Sequence, residues 1–336
     1  MRIEQNYSLE QHNTFHLPAK TRWFMEYETE EELEKILHDE YFQECLSTHI
    51  GSGSNLLFIN DYNGIILHSA IKGINVVSED DDHVVIRVGA AELWDDVVAF
   101  AVSKGWFGIE NLSLIPGETG AAAVQNIRAY GVEIKDVIES VEAWNQLTFE
   151  KVCFSVSDCD YSYRNSRFKN PHLDPHIVTY VNIRLSKKES FSLDYGQLKE
   201  KFSDVQPTLQ TVRDAVIAIR REKLPDPSEL GNAGSYFMNP VIPAEQFYKL
   251  KALYPTIPSY PASEGKVKVP AGWLIEQCGF KGKRHGEVGV YEKQALVLVN
   301  YGGATGDEIA LVAESIRTAV NDRFGIELMP EVKYIV

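Results

Sequence analysis

A proline-rich break, Leu224-Pro225-Asp226-Pro227, most constrains how this chain can fold. Proline lacks a backbone N–H and blocks the continuation of a helix. The helix predicted over 205–221, with Val212, Val216 and Ile219 facing inward, therefore ends before the break. A chain of 336 residues also suggests two domains, at roughly 150 residues per domain. We place the main domain boundary at this break.

Short helices and strands follow one another on both sides of the break without a regular order. Helical spacing predicts helices over 28–40, 91–104, 205–221, 243–253, 270–278 and 306–323. Capping boxes are predicted at Thr29–Glu32 and Thr305–Glu308. Apolar β-type runs predict strands over 56–59, 64–68, 83–88, 137–144, 149–154, 176–185, 234–238, 265–269, 295–300 and 326–336. The segment 111–131 reads as a loop. The absence of a βαβα rhythm predicts an α+β fold.

The charge balance excludes broad nucleic-acid binding. The chain has 48 Asp+Glu against 33 Lys+Arg, a net charge of −15, whereas a phosphate backbone is held by clustered cations. An anionic small molecule needs only a few local cations and stays possible. There is no apolar leader and no run of about 18 apolar residues, so we expect a cytoplasmic protein without a membrane span.

Metal binding is not expected. The four cysteines include no CxxC pair, and we interpret them as reduced thiols. His172 and His176 are four residues apart, but Pro175 prevents the helix that a zinc motif on this spacing needs.

Two glycine-rich segments are candidates for holding a cofactor. In the first, Gly51-Ser52-Gly53-Ser54-Asn55, backbone N–H groups and serine hydroxyls suit a pyrophosphate; the alternative is a tight turn between strands. It is not a dinucleotide fingerprint, because a strand follows it instead of a helix. The second runs from Ile115 to Asn126 and contains Pro116, Gly117, Gly120 and Ala121. Gln125 and Asn126 offer donors and acceptors for a heterocycle edge; the alternative is a surface loop.

Three further segments carry candidate chemical groups. Tyr163 and Arg164 lie in a basic, aromatic stretch that suits a carboxylate clamp or, alternatively, a plain surface loop. Ser235 follows a Gly/Asn/Ala run and either transfers a proton or hydrogen-bonds a turn. Glu331 lies in the apolar terminal run, where it points to solvent or is buried beside a site.

Taken together and in order, these segments resemble the UDP-N-acetylenolpyruvoylglucosamine reductase family over nearly the whole chain. The motifs that carry the resemblance are Gly51–Asn55, Pro116–Gly117, Gln125–Ile127, Ala129–Glu133, Tyr163–Lys169, Lys223–Pro227, Gly231–Phe237, Ala271–Ile275 and Pro330–Val332. The resemblance implies a vanillyl-alcohol-oxidase-like (PCMH-type) FAD-binding fold of two subdomains, 1–72 and 73–224. It also implies an α+β UDP-sugar domain over 225–323 and a C-terminal strand over 324–336 that carries Glu331.

The resemblance also implies an activity. FAD, bound without a covalent link, would take electrons from NADPH and pass a hydride from N5 to the methylene of the enolpyruvyl ether. This reaction yields UDP-N-acetylmuramate for peptidoglycan synthesis. A flavin and a nicotinamide are needed because no protein side chain donates hydride. No obligate protein partner is implied.

Residue roles follow by motif match. Arg164 and Glu331 are expected to polarise the substrate carboxylate, and Ser235 is expected to protonate the intermediate. Tyr163, Lys223 and Asn239 match positions that line the substrate site. Arg220 is expected to contact the flavin. Tyr195 matches the substrate-covering tyrosine loop of the longer family form.

Two other functions compete with this interpretation. An oxygen-using sugar or alcohol oxidase of the same fold would share the glycine-rich turns but has no reason to place Arg164, Ser235 and Glu331 in these motifs. A non-catalytic UDP-sugar-binding protein would contain no flavin.

Overall fold

The structure is a computed structural model that describes residues 1–171 and 173–336. The predicted absence of a metal at His172 and His176 thus lies partly outside the described residues. Within the described residues, no group of three or more His, Cys, Asp or Glu side chains is arranged to hold a metal ion. None of the helices described is both long enough and apolar enough to cross a membrane.

Strands and helices alternate irregularly along the chain, as the α+β prediction requires. The strands described are β1 (Arg2–Ser8), β2 (Lys20–Tyr27), β3 (Ser47–Ile50), β4 (Leu56–Phe58), β5 (Tyr62–Ser69), β6 (Ile74–Glu79), β7 (His83–Gly89), β8 (Arg128–Ala129), β9 (Val132–Glu133), β10 (Ile138–Asn145), β11 (Lys151–Ser155), β12 (His176–Ser186), β13 (Gly231–Ser235), β14 (Val241–Pro243), β15 (Tyr260–Pro261), β16 (Lys266–Lys268), β17 (Arg284–His285), β18 (Val288–Val290), β19 (Val297–Asn300) and β20 (Lys333–Ile335). The helices described are α1 (Glu30–Leu37), α2 (Glu40–Glu44), α3 (Trp94–Ser103), α4 (Thr119–Gln125), α5 (Gly196–Lys201), α6 (Leu209–Lys223), α7 (Ala244–Leu253), α8 (Ala271–Gln277) and α9 (Gly306–Phe324).

The chain divides into two compact units. Unit 1 comprises Met1–Tyr7, Thr21–Ser52 and Asn63–Arg220; unit 2 comprises Ser8–Lys20, Gly53–Tyr62 and Arg221–Val336. Two short N-terminal segments thus belong to the same compact unit as the region after the proline break. The cause is hydrophobic burial, since Phe15, Leu17 and Leu57 lie in the core of unit 2. The functional division into four parts stays a prediction.

Unit 1 is built on two main sheets. One has the strand order β1-β2-β5-β3, and the other is a five-stranded antiparallel sheet in the order β11-β10-β12-β7-β6. The hairpin predicted from 137–144 and 149–154 is confirmed as β10 and β11. Helix α3 buries Trp94, Val97 and Ala101 in the same hydrophobic cluster as the inward residues of the five-stranded sheet.

Unit 2 contains two small antiparallel sheets and one parallel strand pair. The sheets have the orders β13-β19-β18-β17 and β14-β16-β15, and β20 pairs in parallel with β4. Helix α9 begins at the predicted capping box, in which the side chains of Thr305 and Glu308 each accept from the other's backbone N–H. It ends at Gly325, which adopts the left-handed conformation typical of helix C-termini.

Several predicted elements differ from the structure. Part of the loop predicted over 111–131 is helix α4. The C-terminal strand is limited to Lys333–Ile335, so Glu331 precedes it instead of lying within it. Helix α6 begins at Leu209 because Pro207 disfavours a helical residue before it, and the Thr208 hydroxyl then accepts the Thr211 N–H at 3.1 Å. At α1 the box is only half formed, since the Glu32 carboxylate accepts from Glu28 instead of Thr29.

Candidate active site

The first glycine-rich segment is a turn between β3 and β4, which agrees with the tight-turn alternative. Gly53 has φ +73°, and a Cβ there would lie 1.9 Å from the backbone oxygen of His12. A side chain at this position is therefore excluded by the packing of unit 2 itself. A cofactor role for this segment stays a prediction.

The two glycine-rich segments meet in unit 1. A Cβ at Gly51 would lie 2.8 Å from Oε2 of Glu118 and 3.5 Å from Cβ of Ala121. Gly120 in turn packs so closely on Ala90 that a Cβ there would lie 2.9 Å from the Ala90 Cβ. The small residues Gly51 and Gly120 thus allow the backbone of each segment to pack closely on its neighbours. Pro116 and Ala121 are exposed.

A buried ion pair lies behind this contact, and the sequence analysis missed it. His68 faces two carboxylates, with Nδ1 at 2.9 Å from Glu26 and Nε2 at 3.5 Å from Glu118. Burial lowers the pKa of His68, but Glu118 and Glu26 more than offset this effect, so the pKa is raised. The sequence signal was weak, because Glu26 and Glu118 lie far from His68 in the chain.

Arg164 lies at the tip of a tight turn. Ser162 and Asn165 pair through both backbone hydrogen bonds, at 3.0 and 3.1 Å, and Arg164 between them has φ +56°. A non-glycine residue in this conformation stores strain of order 1 kcal/mol or more, and such strain is concentrated at functional sites. The Lys169 ammonium donates to the Arg164 carbonyl at 2.6 Å and stabilises the turn.

Asn126 holds this turn from below. Its Nδ2 donates to the Ser162 carbonyl at 2.9 Å and to Glu133 at 3.1 Å, and its Oδ1 accepts from the Lys135 N–H at 3.4 Å. Only 1% of Asn126 is exposed. The Asn126 side chain is thus fully engaged within the protein. Its geometry favours a role in positioning the turn that carries Arg164, and not the predicted contact with a heterocycle.

Arg220 lies on α6, within electrostatic range of Arg164. Its Nε donates to the Leu114 carbonyl at 3.1 Å. Burial lowers the pKa of the Arg220 guanidinium, and the charge of Arg164 lowers it further, whereas Tyr130 and Asp95 act in the opposite direction. Two cations brought together in one partly buried region create a site that favours an anion or an electron-rich ring.

Tyr195 lies beside Tyr130, whose hydroxyl interacts electrostatically with Arg220. Its ring packs edge-on against Tyr130, with 6.4 Å between the ring centroids, and nearly half of Tyr195 is exposed. Leu198, three residues later, is buried against Ala215, Val216 and Ile219 of α6. The tyrosine segment is therefore packed on unit 1. Tyr130 belongs to a motif quoted above, but nothing in the sequence identified it as a neighbour of Arg220.

The backbone segments that carry Ser235 and Glu331 pair in unit 2. The Glu331 N–H donates to the carbonyl of Tyr236 at 2.8 Å, and Phe237 forms a β-bridge with Pro330. Both side chains are half-buried. Two segments far apart in the sequence thus lie side by side, and the roles expected of Ser235 and Glu331 stay a prediction.

The other predicted site residues occupy different settings. Asn55 donates through Nδ2 to the Glu331 carbonyl at 3.1 Å, and the Asn239 Oδ1 accepts the Ala271 N–H at 2.9 Å at the start of α8. Lys223 is exposed at the end of α6, and Tyr163 is half-buried beside Arg164. Ser52, Ser54 and Gln125 are half-buried in the two glycine-rich segments.

These residues fit an FAD cofactor. Gly51 and Gly117 carry no side chain, so the backbone N–H groups of the two glycine-rich segments can approach a pyrophosphate closely. Arg220 adds a cation in the same unit. The family models agree: residues 22–147 match an FAD binding domain, and residues 226–335 match the C-terminal domain of UDP-N-acetylenolpyruvoylglucosamine reductase. This combination defines a flavoprotein oxidoreductase.

Curated relatives identify the family. The reductase of that name from Porphyromonas gingivalis is 53% identical over 338 residues and is covered, like this chain, over 100% of its length. The one from Bacteroides fragilis is 51% identical over 99% of this chain and 100% of its own. The chain belongs to the UDP-N-acetylenolpyruvoylglucosamine reductase family. The crystal structure of such a reductase from Thermus caldophilus has the same fold, with a TM-score of 0.71 at 22% identity over 100% of both chains.

Proposed function

We propose that this oxidoreductase reduces the enolpyruvyl ether of UDP-N-acetylenolpyruvoylglucosamine to the lactyl ether of UDP-N-acetylmuramate, in the cytoplasmic stage of peptidoglycan synthesis. NADPH is the electron source. The pairing of the Ser235 and Glu331 segments carries the proposal, since it brings the backbones that bear a proton donor and a carboxyl group side by side in unit 2. The full-length similarity to reductases of this name supports the substrate class.

FAD, bound without a covalent link, supplies the chemistry that the side chains lack, because it accepts electrons from a nicotinamide and passes a hydride to carbon. We propose that it is held by Gly51–Asn55, by Pro116, Gly117, Gly120 and Ala121, and by Arg220. Gln125 and Asn126 complete the second segment. The hydrogen bonds of Asn126 support an indirect role, through the turn that carries Arg164.

Arg164 and Glu331 are proposed to bind the carboxyl group of the substrate. A guanidinium binds a carboxylate through two parallel hydrogen bonds and stabilises negative charge that develops next to it. Two carboxylates repel each other, so Glu331 can contact the substrate carboxylate only with a proton shared between them. The strained φ of Arg164 supports its assignment, because it fixes where the side chain begins.

Ser235 is proposed to be the general acid. A serine hydroxyl is a weak acid and donates a proton only to a strongly basic atom, and the carbon next to the substrate carboxylate becomes one when hydride adds to its neighbour. Tyr163, Asn239, Lys223 and Tyr195 are proposed to bind the rest of the substrate. Lys223 suits the diphosphate, and Tyr195, in the loop of the longer family form, covers the sugar nucleotide.

The test uses the purified full chain. An absorption spectrum first establishes whether flavin is bound, and NADPH oxidation is then followed with and without the enolpyruvyl sugar nucleotide. We expect a flavin spectrum, NADPH oxidation that depends on the sugar nucleotide, and a product heavier by two hydrogens. Rapid turnover of an alcohol with oxygen would support the oxidase alternative, and a colourless protein would support the binding protein.

A further inference from the structure

The N-terminal turn of α3 is hydrogen-bonded to the second glycine-rich segment and to the residues just before it. The Trp94 N–H donates to the Gly117 carbonyl at 3.0 Å, and its indole N–H donates to the Leu112 carbonyl at 2.9 Å. The Asp95 carboxylate accepts the Leu114 N–H at 2.5 Å. Asp95 is not among the residues for which the motifs predict a role.

Asp95 is also paired with α6. Both guanidinium nitrogens of Arg213 donate to its two oxygens, at 2.7 and 2.8 Å, and only 11% of the Arg213 side chain is exposed. Burial raises the pKa of Asp95, but Arg213 and the Leu114 N–H more than offset this effect, so the pKa lies below its usual value. The carboxylate is therefore held ionised between a loop and a helix.

Leu114 connects this pair to Arg220. Its N–H is held by Asp95, and its carbonyl accepts from the Arg220 Nε at 3.1 Å. Its φ is +57°, a conformation that a leucine adopts only when its surroundings impose it. Arg213 and Arg220 are seven residues apart on α6, so they lie on the same face of the helix. The hydrogen bonds from Arg213 through Asp95 and Leu114 to Arg220 thus begin and end on the same helix, α6.

We propose that Asp95 is a positioning residue that fixes the direction of the Arg220 guanidinium through Leu114. The inference rests on the proposed role of Arg220 toward the flavin. A carboxylate that served stability alone would need only Arg213. Asp95 also accepts a hydrogen bond from the strained backbone of Leu114, and the carbonyl of Leu114 accepts one from Arg220. This connection links Asp95 to the placement of the Arg220 charge. A cation beside a flavin stabilises its reduced form, so its placement sets the reduction potential.

The test compares Asp95→Ala with the matched control Asp96→Ala in the holoenzyme. Asp96 is the adjacent acidic residue of the same helix turn, is exposed, and has no side-chain hydrogen bond within the part of the chain that the structure describes. The readouts are the dissociation constant of FAD, measured by flavin fluorescence, and the reduction potential of the bound flavin. We expect Asp95→Ala to weaken FAD binding about tenfold and to shift the two-electron reduction equilibrium about tenfold, a potential lower by about 30 mV. Asp96→Ala should change neither.

A double-mutant cycle separates positioning from a structural role. In an Arg220→Met background, Asp95→Ala should produce no further change in potential, because the charge that it positions is gone. Asp95→Asn keeps the acceptor for the Leu114 N–H and should recover part of the potential; it carries the same cycle if the alanine variant does not fold.

Three outcomes would overturn the proposal: additive shifts in the cycle, a loss of thermal stability with an unchanged potential, or equal effects of Asp95→Ala and Asp96→Ala. A wild-type protein without bound flavin would instead contradict the proposed function.

Discussion

The side-chain amide of Asn55 donates to the backbone carbonyl of Glu331 at 3.1 Å, and the Asn55 carbonyl accepts the Lys333 N–H at 3.0 Å. Strands β4 and β20 then pair in parallel. Through these contacts the glycine-rich turn holds the segment that carries the proposed catalytic carboxyl group. Asn55 therefore has a role in unit 2 that a cofactor contact alone would not require.

Replacing Asn55 with alanine tests this role. The variant loses the hydrogen bond to Glu331, worth about 1 kcal/mol, and the carboxyl group becomes less well placed. We expect reoxidation of the reduced enzyme by substrate to slow about tenfold, since small displacements of catalytic groups cost this much or more. FAD affinity should stay within about twofold of the parent, because Gly51–Asn55 is proposed to hold FAD through backbone N–H groups and serine hydroxyls, which this substitution keeps.

The control is Asn60→Ala, an exposed asparagine in the same unit, which should leave both quantities unchanged. A large loss of FAD affinity in Asn55→Ala, with unchanged reoxidation, would show instead that Asn55 acts mainly on the cofactor.

Substitutions at Gly53 and Gly105 test how much the close packing of Gly53 on His12 restricts this position. Gly53 and Gly105 have nearly the same φ, +73° and +74°. A Cβ at Gly53 would lie 1.9 Å from the His12 oxygen, whereas a Cβ at Gly105 would meet no atom within 4 Å apart from its chain neighbours. Gly105→Ala should cost about 1 kcal/mol of unfolding free energy through backbone strain alone. Gly53→Ala should cost upwards of about 3 kcal/mol, because an unrelieved clash adds to the strain.

Chemical denaturation of the FAD-free proteins measures both losses. Equal losses in the two variants would mean that the contact with His12 relaxes at little cost.

The strained turn at Arg164 predicts that a glycine substitution there lowers activity without lowering stability. Glycine adopts a φ of +56° without penalty, so Arg164→Gly should leave the unfolding free energy unchanged or raise it by up to about 1 kcal/mol. Turnover of the sugar nucleotide should fall about 100-fold or more, the cost of one preorganised charge at the reacting group.

Asn6 also has a positive φ, +50°, and is exposed, so Asn6→Gly provides the matched control with normal turnover. A destabilised Arg164→Gly variant would show that the guanidinium stabilises the fold.

The ion pairs of Glu142 predict that the folded protein loses part of its stability in acid. It accepts two bonds from Arg87, at 2.6 and 2.7 Å, and lies 2.8 Å from the Lys151 ammonium. The Arg87 guanidinium in particular lowers the pKa of Glu142 to about 2. A carboxyl group with a depressed pKa in the folded state stabilises the protein above its unfolded pKa, and this contribution is lost as the pH falls from about 4.5 toward 2.

Thermal unfolding as a function of pH measures this effect. Glu142→Gln should be less stable than the parent at neutral pH, and the difference should shrink below about pH 4.5. A difference that stays constant down to pH 2 would show that the ion pairs do not titrate with folding.

Local sequence pattern is sufficient to predict those elements that neighbouring residues alone decide. The capping box at Thr305 and the prolines after Lys223 were read correctly, because neighbouring residues alone decide them. Helix α4 was missed since its small residues, such as Gly120 packed on Ala90, have no apolar periodicity and depend on a distant contact. The bridge between Phe237 and Pro330 has no sequence signal apart from the family motifs.

The candidate site shows the same division. The motif match predicts Ser235 and Glu331 as site residues, and the structure pairs their segments. It did not identify Asp95 or Glu118, whose partners Leu114 and His68 are distant in the chain. Residues that position a site act through tertiary contacts, so a single sequence gives little sign of them.

The two half-reactions of Ser235→Ala test the central claim most directly. Rapid mixing measures flavin reduction by NADPH and, separately, reoxidation of the reduced enzyme by the enolpyruvyl sugar nucleotide. Ser235 is proposed only as the proton donor to substrate, so reduction should proceed at the parent rate while reoxidation slows about 100-fold or more. Equal slowing of both half-reactions, or normal reoxidation, would contradict the assignment of Ser235 as the general acid.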